Sequence, residues 1–405
     1  MTRHHPHPPV VLVGARPAEG HATLTRLGVP FLWIVDPSEP LPQAGPGVLA
    51  VHRVPYRDDP TSLLEVPLPR DTAAVLSFTE FGLLPAALLS EALALPSVSV
   101  GAVLRTRDKL VMRRALQATC PGPAFGIVGE DEPDPDDFPL IAKPVRGAGS
   151  RGVRYLAGPA DHLAGRDELR GLLWERFVSG PEYSVEAVSG PDGHRVLGVT
   201  AKRTSGRPRF IETGHESPAP LDPRVRARVE EQVRRCLDAL GVDRGATHTE
   251  VKIEDGRVHV IETHTRAGGD RIPLLTRLVT GLDQYELAVR SVLPGVAAAE
   301  EPLPRFAHAA VHYFPWEDAV LAGLTDPDRC RGLDGVVELE VHARPGDHLP
   351  VWQHSHERPG HVVVGADTRD ELHARVRAVE EALNPVLRPL SDPASAAPPP
   401  LLPAS

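Results

Sequence analysis

The chain has 405 residues, 41 % of them hydrophobic and 24 % charged, enough to bury a core and long enough for two to four domains. A formal net charge of −10, with no lysine or arginine stripe interleaved with aromatics, argues against a nucleic-acid partner. Cys120, Cys236 and Cys330 are scattered and odd in number, which offers neither a disulfide framework nor a zinc motif and fits a reducing compartment.

The N-terminus MTRHHPHPPV lacks a signal-peptide apolar core, and His4, His5 and His7 read as a prolyl, histidine-bearing tail rather than a metal tract. VVLVG (10–14), FLWIVD (31–36), AAVLSF (73–78) and SVSV (97–100) recur at helix-length intervals, the β-α-β rhythm of a parallel sheet. Residues 1–105 are therefore expected to form a small open α/β domain. FGLLPAALLSEALALPSVSVGAV, from Phe81, approaches membrane-spanning length, but Pro85, Glu91 and Pro96 interrupt it, so a buried helix followed by a strand is expected. No other stretch approaches a span, which implies a cytoplasmic protein without a membrane partner. No repeat at a solenoid period is evident.

A helix is expected over RTRDKLVMRRALQAT, from about Thr106 to the residues before Pro121-Gly122-Pro123. FPLIAKPV (138–145) reads as a strand running into RGAGSRGV, LLWERFV (172–178) as another, and YSVEAVS with VLGVTAKRT as a hairpin about residues 190–193. A helix from about Pro223 to Leu240 ends at Gly241, where a C-terminal glycine belongs. HTEVKIEDGRVHVIET (248–263) is a hairpin turning at Asp255-Gly256. From about Leu303, short strands (HAAVHYF, GVVELEV, GHVVVGA) and the helix RDELHARVRAVEEAL read as a separate α+β module. The final SDPASAAPPPLLPAS, from Ser391, cannot bury enough apolar surface to offset ordering and reads as disordered.

Lys143 ends an apolar strand and precedes Arg146-Gly147-Ala148-Gly149-Ser150-Arg151-Gly152. Successive N–H groups in such a turn form an anion-binding concavity, and a neighbouring lysine adds a point charge for phosphate oxygens. The lysine precedes the glycines, so the loop is not a P-loop. Glu250 and Glu262 flank the second hairpin turn. A plain two-residue Asp255-Gly256 turn pairs Glu250 with Ile261 and puts the two carboxylates on opposite faces; an added bulge or longer loop puts them opposite one another, roughly 4.5–5.5 Å apart at Cβ. In the first case they are solvated strand residues. In the second they repel and suit a divalent cation such as Mg²⁺.

Lys109, Lys143 with its glycine loop, WERFVSGPEYSVE, Glu250, Glu262 and a following arginine occur in that order. The set resembles the ATP-grasp superfamily and, within it, the L-amino-acid ligases of the bacilysin synthetase type that join amino acids into dipeptides. The resemblance covers roughly residues 10–390. It implies an α/β (α+β) chain with a Rossmann-like open-sheet domain (1–105), an ATP-grasp domain (106–302, lid about 122–174) and the C-terminal module (303–390). It implies ATP as co-substrate with Mg²⁺, or Mn²⁺, on Glu250 and Glu262, and Lys109, Lys143, Gly149 and Ser150 on the phosphates. Glu175, Arg176, Phe177 and Val178 would line the adenine, and Glu182 would hold the ribose. Arg266, with Ala267, Gly268 and Gly269, would hold the reacting carboxylate, while His248 would meet substrate, the Glu212-x-x-His215 pair would meet substrate or a second metal, and Glu80 would meet substrate or serve as a helix N-terminal glutamate. His264 departs from the family, where asparagine is common. The partners implied are small carboxylates and amines, with amino acids foremost; bicarbonate or a larger acid is the alternative, and a non-catalytic nucleotide-binding scaffold the remaining one. A homodimer is the common state for soluble enzymes of this size.

Overall fold

The computed structural model describes residues 6–390 except 42, 44, 148, 150, 294 and 297–302. Ser150, His4, His5 and the tail from Ser391 lie outside the described residues.

Four strands, β1 (Val10–Val13), β2 (Phe31–Val35), β3 (Val48–Arg53) and β4 (Ala74–Ser77), form a parallel sheet in the order β3-β2-β1-β4. β1 and β2 are buried along their whole length, as continuous apolar runs covered on both faces should be. One face packs Leu12, Leu24 and Trp33 against Tyr285, Val289 and Val292 of a helix (Gln284–Val292) far along the chain. The other packs Val13 and Ile34 against Leu63 and Leu89.

The expected strand at SVSV is instead the start of a helix, Val100–Arg107, because Ser99 caps it by accepting from Ala102 N. Val103 then packs with Leu83 and Ala87 of the helix Leu83–Ala92, and this burial outweighs the β preference of valine. The single helix expected from Thr106 is broken at Asp108, which is extended (φ −113, ψ 112) and caps a second helix, Lys109–Leu116, by accepting from Val111 N. Lys109 thereby occupies the first helical position.

A small antiparallel sheet, in the order β5-β8-β6-β7, is made from β5 (Phe125–Ile127), β6 (Leu140–Lys143), β7 (Arg154–Leu156) and β8 (Leu173–Arg176). Its core is Val128, Leu140, Ala142, Leu156, Leu169 and Trp174. The largest sheet holds β9 (Glu182–Gly190), β10 (Gly193–Thr204), β11 (Glu212–Ser217), β12 (Gly245–Glu254), β13 (Arg257–His264) and β14 (His308–Tyr313). Beyond β15 (Ala319–Gly323), β16 (Val336–Val341), β17 (His348–Leu349), β18 (Gly360–Ala366) and β19 (Val386–Pro389), its full order is β13-β12-β9-β10-β11-β14-β18-β16. The helix Pro223–Leu240, capped by Asp222 and ended by left-handed Gly241 (φ 67), covers it with Val229, Val233 and Leu237.

Residues 303–390 are thus not a separate module at the level of the sheet. β14 pairs with β11, from Gly214 opposite His312 to Ser217 opposite Ala309, and β18 and β16 continue outward. The pairing gives the exposed edge of β11 its backbone partners. β15, β17 and β19 form a small sheet beside it. All three cysteines are buried and unpaired, and among the described residues no helix is long and apolar enough to cross a membrane.

Candidate active site

The β12–β13 hairpin contains both registers weighed from the sequence. Asp255 and Gly256 have positive φ (49 and 75), the conformation of a two-residue hairpin turn, and the ladder starts as Glu254–Arg257 and runs to Val251–Val260. A bulge then sets Ile261 aside, and pairing resumes with Glu250 opposite Glu262, Thr249 opposite Thr263 and His248 opposite His264. Apolar pairing near the turn and carboxylate pairing beyond it coexist because of that one extra residue.

Both glutamates line a cavity of about 280 Å³ whose wall also includes residues of the small sheet and the glycine loop. Lys109 Nζ lies 2.9 Å from Glu262 Oε1 and donates to the Gly147 carbonyl at 2.9 Å. Lys143 Nζ lies 2.6 Å from Glu175 Oε2, while Arg113 Nε binds Glu175 Oε1. Burial would raise the Glu175 carboxyl, but these two cations overcome it and hold it down at about 2. Gly149 (φ 71) faces Ser355 of the C-terminal segment, close enough that a Cβ on the glycine would lie 3.5 Å from the serine Oγ.

Glu182, at the start of β9, is 2.6 Å from Lys202 Nζ, which also lies 2.7 Å from Glu250 Oε1 and 3.7 Å from Glu212 Oε1. Burial opposes the charge on Lys202, yet the three carboxylates raise its pKa well above the usual value. Burial raises Glu212, with Asp270 and Glu250 adding to the effect and Lys202 opposing it. Arg176, Phe177 and Val178 line the same cavity, joined there by Phe210 and by Lys252, whose Nζ lies 4.9 Å from the Phe177 ring centre.

At the other end, Arg266 Nε donates to Glu80 Oε2 at 2.8 Å and its Nη1 to the Ala267 carbonyl at 2.9 Å. His264 bridges Glu80 (3.2 Å) and Glu262 (3.0 Å); burial opposes its protonation and the two carboxylates favour it, with a net upward shift. His248 is 2.6 Å from Glu186 and 3.5 Å from Glu250, and these carboxylates raise it to about 9 against the effect of burial. Gly268 donates its N–H to Glu186 (3.3 Å), and a Cβ there would lie 2.7 Å from His248 Nδ1. Gly269 lines the cavity. His215 Nε2 lies 3.3 Å from Asp270, whose carboxylate takes a bidentate pair from Arg358 at 2.7 and 2.8 Å.

Of the described candidates, Lys109, Lys143, Gly149, Glu175 to Val178, Glu182, Glu212, His215, His248, Glu250, Glu262, Arg266 and Gly269 line the same cavity, whereas Ala267 packs in the core beside the parallel sheet and Glu80 and Gly268 are outside the lining; other residues join them that the sequence does not single out. Lys202 looks like an ordinary strand lysine. Arg113, Glu186, Lys252, Phe210, Asp270 and Arg358 come from six separate segments. The one signal available is the spacing of Lys109 and Arg113, four residues apart on one predicted helix.

The contacts of Lys109, Lys202, His248 and His264 with Glu250 and Glu262 are to Oε1. Two opposed carboxylates on a cavity wall are an all-oxygen donor pair of the kind that fits Mg²⁺. His264 Nε2 lies 3.0 Å from Glu262 Oε1. A second cluster with ligand spacing, Glu340, His342 and His361, lies on neighbouring strands. There Arg271 already sits 3.1 Å from Glu340 and 2.6 Å from Glu338, so a guanidinium supplies the positive charge.

An opposed carboxylate pair, lysines and a glycine loop surround one cavity, and residues 166–273 match the ATP-grasp domain model. The C-terminal part is more particular: residues 312–388 match the L-amino acid ligase C-terminal domain 2, so the chain combines an ATP-grasp domain with the C-terminal domain of L-amino-acid ligases. The chain is 28 % identical over 265 residues to the uncharacterized protein y4rH of Sinorhizobium fredii, covering 63 % of this chain and 54 % of that one. It is 25 % identical over 276 residues to alanine–anticapsin ligase of Bacillus subtilis, covering 58 % and 57 %. The chain thus spans little more than half the length of these relatives. The crystal structure of an L-amino acid ligase from Bacillus licheniformis superposes with a TM-score of 0.80 at 22 % identity, covering 94 % of this chain and 99 % of that one, which establishes the shared fold.

Proposed function

We propose that the protein is an ATP-dependent carboxylate–amine ligase that joins two amino acids, or an acid and an amine of that kind, through an acyl phosphate and releases ADP and phosphate. The observation that carries the reading is Glu250 opposite Glu262 in the cavity that also holds Lys109, Lys143 and Arg266.

In this reading Glu250 and Glu262 hold Mg²⁺, which would neutralise phosphate oxygens. Glu175 to Val178 accommodate the adenine, Glu182 the ribose, and Lys109, Lys143 and the glycine loop at Gly149 and Ser150 the phosphates. A substrate carboxylate oxygen, held by Arg266 and the backbone of Ala267 to Gly269, attacks the terminal phosphorus, and the bond to the β-phosphate oxygen breaks to leave ADP. Positioning and charge supply most of the catalysis in such a transfer. The amine then attacks the acyl carbon, loses a proton, and phosphate departs; Arg266 stabilises the oxyanion formed in between. Glu212, His215 and His248 face the amine side. Residues 122–174 serve as a lid that keeps water from the acyl phosphate. Residues 1–105, 106–302 and 303–390 are the working divisions of a cytoplasmic enzyme, which the three unpaired cysteines favour, and a homodimer is the expected assembly.

The test is phosphate release from Mg-ATP across all pairs of common L-amino acids, with mass spectrometry of every positive reaction. Phosphate together with a condensed product is the expected result. Turnover that needs bicarbonate instead of an amine would assign a carboxylase, and no ATP binding would overturn the reading.

A further inference from the structure

Lys109 and Arg113 stand one turn apart on the helix Lys109–Leu116, so both side chains leave the same face. Lys109 reaches Glu262 itself. Arg113, buried at 2 % exposure, reaches the two residues just before it: Nη1 donates to the Val260 carbonyl (2.5 Å) and Nη2 to the Ile261 carbonyl (3.0 Å). Its Nε binds Glu175 Oε1, and Glu175 in turn holds Lys143 at 2.6 Å.

Val260 and Ile261 are where the β12–β13 ladder slips. An inserted residue takes part of the backbone out of cross-strand pairing, and a buried carbonyl without a donor is costly. A guanidinium presents several N–H groups in a fixed plane and can serve two neighbouring carbonyls and a carboxylate together, which an ammonium on a flexible stem cannot do in one geometry. Without the bulge, the ladder that pairs 254 with 257 and 251 with 260 runs on to pair Glu250 with Ile261, and Glu262 turns to the other face.

We propose that Arg113 is a positioning residue that holds the Val260–Ile261 bulge and so sets Glu262 opposite Glu250, while the same guanidinium fixes Glu175 and, through it, Lys143. Arg113 is outside the cavity lining and acts through residues that are part of it. This rests on the proposed nucleotide site for its purpose and goes beyond it in assigning the alignment of that site to a residue on another element.

The test measures binding of a fluorescent ATP analogue as a function of Mg²⁺ concentration, alongside the melting temperature, for the wild type, Arg113→Lys, Arg113→Met, and Arg113→Met with Ile261 deleted. The deletion removes the extra residue, so a regular ladder itself brings Glu262 opposite Glu250. Half-saturating Mg²⁺ should rise by about 10- to 100-fold in both single variants, the cost expected when a partner behind a metal ligand is lost. It should fall back toward the wild-type value in the deletion double variant, a recovery that a general loss of stability does not produce. Single variants with wild-type Mg²⁺ dependence would overturn the inference, as would a folded double variant with no recovery. Should the deletion unfold the chain, Arg113→Lys decides: a wild-type Mg²⁺ response overturns the inference and a shifted one at near wild-type melting temperature supports it. A wild-type protein that binds no Mg-nucleotide would instead overturn the proposed function.

Discussion

Lys202 holds Glu250 across the central sheet, its ammonium 2.7 Å from Oε1, and the same nitrogen is shared with Glu182 at 2.6 Å. The side chain is only 3 % exposed, while Glu250 and Glu182 keep 22 % and 20 % exposure, so the ammonium offsets their charge at the cavity wall. Lys202→Met leaves those acids facing one another. Removing one partner of a buried ion pair costs about 3–5 kcal/mol, so urea denaturation of the variant should show a loss of that size. Added Mg²⁺ should raise its melting temperature more than that of the wild type, because the cation replaces the missing charge. Equal stability of the two proteins would mean that Lys202 is dispensable to the site.

Arg266 is tied to Glu80 and to the Ala267 carbonyl, which aims it along the cavity wall. Arg266→Ala should lower the ligation rate by about 10²–10³, the loss typical of one oxyanion donor. Steady-state kinetics on a substrate pair found by the phosphate-release assay provides the check. A rate within about tenfold of wild type would remove the assigned role.

Adjacent glycines should behave differently. A Cβ on Gly268 would lie 2.7 Å from His248 Nδ1 and 3.3 Å from Glu186 Oε1, the first inside ordinary van der Waals contact, whereas a Cβ on Gly269 meets nothing within 4 Å. Gly268→Ala should therefore cost about 1–3 kcal/mol, the usual range for overpacking, and push His248 off Glu186. Gly269→Ala should leave stability unchanged. Thermal melts of both variants decide; equal effects would contradict the packing described around His248.

Glu175 predicts an acid limb of stability. Burial alone would raise its pKa, but Arg113 and Lys143 bring it down to about 2 in the folded chain, against about 4.3 for an unperturbed glutamate. Between those values the unfolded state binds more protons than the folded one, so stability rises with pH. The contribution is complete above the unfolded pKa and is lost as pH falls toward the folded one. Denaturation of the wild type and of Glu175→Gln at a series of pH values should show the wild type losing stability more steeply over that window. Parallel curves would mean that the carboxylate is not ionised between its two cations.

Much of the fold is readable because it is written in local periodicity. The apolar runs of β1, β2 and β4, the glycine stop of the helix Pro223–Leu240, and the Asp255-Gly256 turn depend on neighbours in sequence. The structure departs from expectation at SVSV and around Asp108, where caps decide the matter: Ser99 and Asp108 each supply a side-chain acceptor to a helix that hydrophobic pattern alone places elsewhere. The C-terminal module departs for another reason. Strand order within a sheet depends on which edges meet, and β11 meets β14 across a long stretch of chain that carries no pairing signal of its own.

The sequence by itself determined the ingredients: a lysine before a glycine loop, two glutamates astride a hairpin, and an arginine among glycines after them. It could not decide whether Glu250 and Glu262 share a face, because a register slip of one residue reverses every side chain beyond it. That was decided by tertiary structure. The bulge at Ile261 places the two carboxylates together, Arg113 reaches its carbonyls from a helix far earlier in the chain, and Lys202 and Lys109 bring the buried cations that let the two acids lie side by side without mutual repulsion expelling one of them.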